Sequence, residues 1–111
     1  MDKVKITFVL PITLQKELKE RIIKDSYDMK QKSHWIAEAI VRLLTMPGFP
    51  DLVKINDEMK GFEKLESVVI SRELKKRVNA AIIDVRRKYP MIEGVQSRIF
   101  RTAIMQRLLR Y

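Results

Sequence analysis

Two stretches of this chain repeat one another. With an offset of 60, Leu10 and Leu14 fall on Ile70 and Leu74, Leu18 falls on Val78, and Ile22 and Ile23 fall on Ile82 and Ile83. With an offset of 64, Ser33 falls on Ser97, Ile36 on Phe100, and Ala39 and Ile40 on Ala103 and Ile104. The change of offset lies in the loop between two helical patterns, where insertions are cheap. An internal repeat outranks any local reading of the segments that compose it.

Each copy has three parts. In the first, "KVKITFVLP" alternates Val4, Ile6, Phe8 and Leu10 with Lys3, Lys5, Thr7 and Val9, which is a strand with one apolar and one mixed, partly basic face. Leu14, Leu18 and Ile22 then follow helical spacing. Ser33 is expected to cap a second helix with Ile36, Ala39, Ile40, Leu43 and Leu44 on its apolar face, ended by Met46, Pro47 and Gly48. Trp35, in the first turn after that cap, is expected at the edge of the core. In the second copy, "KLESVVISREL" gives a strand ending at Ile70 and a helix capped by Ser71, with Leu74, Val78, Ile82 and Ile83 apolar. After the loop "RRKYPMIEGVQ", Ser97 is expected to cap a helix carrying Phe100, Ala103, Ile104 and Leu108. The expected organisation is a first unit at 1–45, a linker at 46–63 with a short helix over "DLVKINDEM" between Pro50 and Gly61, and a second unit at 64–111, packed as one compact domain.

The 111 residues are 46% apolar, enough for a core without staples. There is no Cys, so disulfide and thiolate chemistry are excluded, which suits a reducing cytosol. No stretch reaches the roughly 20 apolar residues that span a bilayer, and charges interrupt the first residues too often for a signal peptide. The expectation is therefore no membrane partner. The net charge of +9 is uneven. Residues 1–45 carry nine basic and six acidic side chains (+3), residues 46–63 two and four (−2), and residues 64–111 twelve and four (+8). A small basic domain is drawn to polyanions, of which nucleic acid is the commonest in a cytosol. His34 is the sole histidine and, without cysteines, offers no zinc ligand set. No phosphate-cradling loop, dinucleotide fingerprint or nucleophile elbow occurs. The expectation is a non-enzyme without cofactor or metal.

"ITFVLPITLQKEL" with "SHWIAEAIVRLL", and "SVVISRELKKRV" with "SRIFRTAIMQRLL", resemble the ribbon-helix-helix family of DNA-binding proteins. Two such units in one chain are similar to the conjugative relaxosome accessory proteins of the TraY type, and "LLTMPGFPDL" looks like the proline-aromatic tail of that type. The resemblance implies a mainly α fold with a two-stranded antiparallel ribbon, β-α-α-linker-β-α-α, in which the strand at 3–10 pairs with that at 63–70 as an intramolecular pseudo-dimer. It implies insertion of that ribbon into the major groove of double-stranded DNA, as a transcriptional regulator or a conjugative-transfer accessory protein in the cytoplasm, associated with the nucleoid. Further partners would be copies of itself on adjacent sites or other DNA-processing proteins.

On that resemblance the base-reading side chains are Lys3, Lys5, Thr7 and Val9 from the first strand and Leu65, Ser67 and Val69 from the second. Lys5 can reach a guanine edge or a phosphate, Thr7 and Ser67 can bond base edges, and the apolar three can pack on thymine methyls. The phosphate-binding group is Lys32, Ser33 and His34 at one helix start and Ser97 and Arg98 at the other, where the dipole favours an anion; each serine can also simply cap its own helix. Arg86, Arg87 and Lys88 either complement a helix dipole or widen the phosphate footprint. The second strand departs from the family in lacking a central outward Arg, Lys, Asn or Gln. Glu66 also stands where an inward apolar residue is expected, which leaves the register there open. The rival reading is a helical interaction module, antitoxin- or adaptor-like, whose ribbon face binds protein. RNA is a weaker third, because no aromatic platform for stacked bases is present.

Overall fold

Alternation makes the strands. The computed structural model describes residues 3–55 and 63–110. In it β1 (Lys3–Pro11) and β2 (Glu63–Ser71) pair antiparallel as a two-stranded sheet. Lys3 stands opposite Ser71, Thr7 opposite Ser67 and Pro11 opposite Glu63. Thr7 and Ser67 are equivalent under the 60-residue offset, so the ribbon's midpoint joins matching positions of the two copies. The register also answers the question at Glu66. It stands opposite Phe8 and, like Phe8, points inward. Glu63, the last residue of the expected linker and the first of the expected strand at 63–70, is the first residue of β2.

Five helices complete the described chain: α1 (Ile12–Lys24), α2 (Lys32–Leu44), α3 (Phe49–Ile55), α4 (Arg72–Lys88) and α5 (Val95–Leu109), with a 3-10 turn at Met29–Gln31 before α2. Pro11, whose fixed φ suits a helix entry, leads directly into α1. Ser71 caps α4 as expected, its Oγ accepting the Leu74 N–H at 3.1 Å. Ser33 and Ser97 do not cap their helices. They lie inside the first turns of α2 and α5, where the cap positions are Gln31 and Gly94. Gly94 has φ +62°, the left-handed region in which a side chain is strained. The capping motif expected at Ser33 is found instead at Asp28, which accepts from the Lys30 and Gln31 N–H groups at the head of the 3-10 turn.

One apolar cluster joins both strands and the five α-helices of the described chain. The inward faces of the ribbon (Ile6, Phe8, Leu10, Val68 and Ile70) pack on helices that cover them, which an isolated two-stranded ribbon needs for stability. Phe8 meets Phe100 edge to face at 5.0 Å between centroids. Two helical expectations shift by one position. Ile23 and Ile83 are exposed, because a residue next to a buried one lies about 100° around the helix. In α4 the buried stripe is Leu74, Val78, Ala81 and Val85. Trp35 is fully buried rather than at the core's edge.

The predicted linker helix starts earlier than expected, at Phe49, and runs to Ile55; the rest of its predicted span, with Gly61, lies outside the described residues. Val53 is buried. Asp51 reaches Lys88 Nζ at 2.8 Å and accepts from the Tyr89 hydroxyl, while Lys54 Nζ stands 4.7 Å from the Tyr89 ring centroid. The Lys88 and Tyr89 hydrogen bonds hold the Asp51 carboxyl below its ordinary value. Helix α3 thus lies against the end of α4, and Lys88 is engaged there. Among the described residues no helix is long and apolar enough to cross a membrane.

Candidate nucleic-acid interface

The period of two sorts the ribbon as expected. Lys3, Lys5 and Thr7 are exposed and Val9 is half-buried along β1; Ser67 is half-buried and Leu65 and Val69 are 72% and 42% exposed along β2. Cross-strand neighbours on this outward face are Lys3 with Ser71, Lys5 with Val69, Thr7 with Ser67 and Val9 with Leu65. All seven side chains expected to read bases therefore share one face, with the helices beneath it.

The two serines at the helix starts do something that periodicity does not reveal. Ser33 Oγ accepts the Val69 backbone N–H at 2.9 Å, and Ser97 Oγ accepts the Val9 N–H at 3.3 Å. Val9 and Val69 are equivalent under the 60-residue offset and Ser33 and Ser97 under the 64-residue offset. Helix α2 is thus tied to β2 and α5 to β1. These bonds fix α2 and α5 against the two outer edges of the ribbon. Replacing Ser33 or Ser97 by alanine is expected to lower stability by about 1 kcal/mol and to speed amide exchange at Val69 or Val9 respectively. Hydrogen-exchange NMR checks this: acceleration at the matched valine distinguishes a strand tie from a loss of helix capping.

Lys32 does not stand ready for a phosphate. Its Nζ pairs with Glu66, which is 7% exposed and also accepts from Gln15 Nε2 at 2.8 Å. Burial pushes the Glu66 carboxyl up, but the Gln15 and Lys32 hydrogen bonds, the Lys32 charge and the Ser67 N–H together hold it below its ordinary value. The other copy shows the same site without the acid. Gln15 corresponds to Lys75 and Lys32 to Gln96, Lys75 Nζ donates to Gln96 Oε1 at 3.0 Å, and the position of Glu66 is filled by Ile6. His34 is exposed, with Nε2 3.6 Å from Glu38 Oε1, and Arg98 Nε donates to the Glu93 carbonyl at 2.8 Å. The expected phosphate group is therefore brought together as two separate helix starts, each beside one ribbon edge.

No protein-family model, no curated protein and no solved structure matches the chain. Among the described residues no group of His, Cys, Asp and Glu could hold a metal ion.

A cluster missed by sequence reading locks this arrangement from behind. Arg107 donates to the Trp35 carbonyl at 2.7 Å, lies 4.3 Å from the Trp35 ring centroid and 5.6 Å from that of Tyr27, and stands 3.6 Å from Glu38. The Tyr27 hydroxyl donates to Glu38, and Trp35 Nε1 donates to Asp25 Oδ2 at 3.0 Å. Burial raises the Glu38 carboxyl, yet the Tyr27 bond and the charges of Arg107, His34 and Arg42 bring it below its ordinary value. Arg107 reads as a surface cation in the sequence. Only its place on α5, facing Trp35 of α2, makes it a core residue.

Proposed function

We propose that this chain is a sequence-specific double-stranded DNA-binding protein: a single-chain pair of ribbon-helix-helix units that lays the outward face of β1 and β2 into the major groove. The observation that carries the reading is the face itself. It presents Lys3, Lys5, Thr7, Val9, Leu65, Ser67 and Val69 together, with none of the described helices over it, on a ribbon whose midpoint joins matching residues of the sequence repeat. A major groove about 12 Å wide admits such a ribbon, and a chain of net charge +9 is attracted to it. Positioning falls to the starts of α2 and α5, where Ser33 and Ser97 hold the helices beside the ribbon and the amide ends favour a backbone phosphate. Transcriptional control and assembly of a DNA-processing complex at a transfer origin both use this physics, in the cytoplasm.

A second reading, a protein-binding module, is favoured by Leu65, whose side chain is 72% exposed. The discriminating experiment is selection of the purified protein against a random duplex library at moderate salt, followed by affinity against salt concentration. Enrichment of a motif, with affinity falling steeply as salt rises, is the expected result. No retention even at low salt overturns the DNA reading in favour of a protein partner. In a folded Lys5→Ala or Thr7→Ala variant the preference at the matching base pairs is expected to relax by about tenfold or more. An unchanged motif in such a variant sinks the ribbon as the reading element.

A further inference from the structure

We infer that the site this ribbon reads has a direction: a guanine-bearing end under Lys5 and a thymine-methyl end under Val9 and Leu65. This rests on the proposed DNA-reading role of the ribbon and adds what it recognises. The two strands carry different residues at equivalent positions, and the register sorts the difference to opposite ends. One end of the face holds Lys3, Lys5, Val69 and Ser71. The Ser71 hydroxyl accepts the Leu74 N–H as a helix cap, and the positive charge at this end comes from the two lysines. The other end holds Val9 against Leu65, and beyond them Pro11 against Glu63, with Lys64 beside it, so its charges cancel. Thr7 and Ser67 stand between the ends.

A lysine ammonium in the major groove matches the O6 and N7 acceptors of guanine, whereas two branched apolar side chains gain only where a C5-methyl group meets them. Four residues separate Lys5 from Val9 along β1, about 13 Å at strand rise. That is about four base-pair steps at 3.4 Å each. Hydroxyls at the centre accept or donate to either kind of pair, so discrimination is concentrated at the ends. The buried Glu66–Lys32 pair, which has no counterpart beneath Ile6, gives the two halves different supports and keeps them from being interchangeable.

The experiment takes the duplex most enriched from the random library and resynthesises it with deoxyuridine replacing thymidine, one end at a time, or with 7-deazaguanine replacing guanine. Expected is a motif without dyad symmetry, a loss of about tenfold on removing the thymine methyls at the Val9–Leu65 end against a smaller loss at the Lys5 end, where Val69 is the one apolar contact, and a loss of about tenfold on removing guanine N7 at the Lys5 end alone. The variant Leu65→Ser, at an exposed position, is expected to weaken the methyl dependence at that end by about threefold or more, with Val9 retaining the rest, and to leave the guanine dependence intact. A palindromic motif, or equal losses at the two ends, overturns the directional site while leaving DNA reading in place. No enriched duplex at all overturns the DNA reading itself.

Discussion

Trp35→Ala is expected to cost about 3–5 kcal/mol of folding stability, a large share of the roughly 5–15 kcal/mol that holds a small domain together. Three losses combine. The side chain is fully buried, so its removal leaves a cavity in the seam between α2 and α5. Its Nε1 no longer reaches Asp25, which frees one anchor of the loop after α1. Arg107, a residue only 9% exposed, loses the ring on which its guanidinium stacks while still placed to bond the residue-35 carbonyl. Urea unfolding followed by circular dichroism is the check. At about 2 kcal/mol per molar urea, the midpoint should fall by on the order of 2 M. A shift under about 0.5 M would show that this cluster contributes little. Trp35→Phe keeps most of the volume and should recover more than half of the loss.

The second large effect concerns the acid beneath the ribbon. Lys32→Met leaves Glu66 buried with only Gln15 and the Ser67 N–H as partners. Removing one member of a buried pair costs more than the pair contributes, because the other charge stays out of water. With Lys32 itself partly solvated, about 2 kcal/mol at neutral pH is expected. The pH dependence gives the mechanism. In the native chain Glu66 titrates below its ordinary 4.5, so the unfolded state binds more protons in that range. Its contribution is complete above pH 4.5 and is lost as pH falls through the folded value. In Lys32→Met burial dominates and the carboxyl is pushed up. The folded state then binds more protons, and its penalty is relieved on acidification. The stability gap between the two proteins should therefore narrow as pH falls from 7 towards 4. Adding Glu66→Ile to Lys32→Met copies the Ile6 arrangement of the other half and should restore native stability or exceed it. A constant gap across pH, or no rescue in the double variant, would show that Lys32 acts through something other than Glu66.

The sequence by itself determined the elements and the two faces of the ribbon. Val4, Ile6, Phe8 and Leu10 could not alternate with Lys3, Lys5 and Thr7 in any other way, because successive strand residues point to opposite sides. The repeat determined that Thr7 and Ser67, or Val9 and Val69, hold corresponding places. Tertiary structure decided everything that depends on which side chain meets which. Ser33 and Ser97 read as helix caps, since a serine before an apolar helical run caps more often than not, but their partners are strand amides 36 and 88 residues away. Lys32 is a phosphate ligand on the family resemblance, yet Glu66, distant in sequence, pairs with it. Arg107 reads as solvated and is walled in by Trp35 and Tyr27. Periodicity fixes direction because it follows from the local backbone. A hydrogen-bond or ion-pair partner is set by the packing of distant segments, where burial makes every unmet polar group costly enough to choose its neighbour.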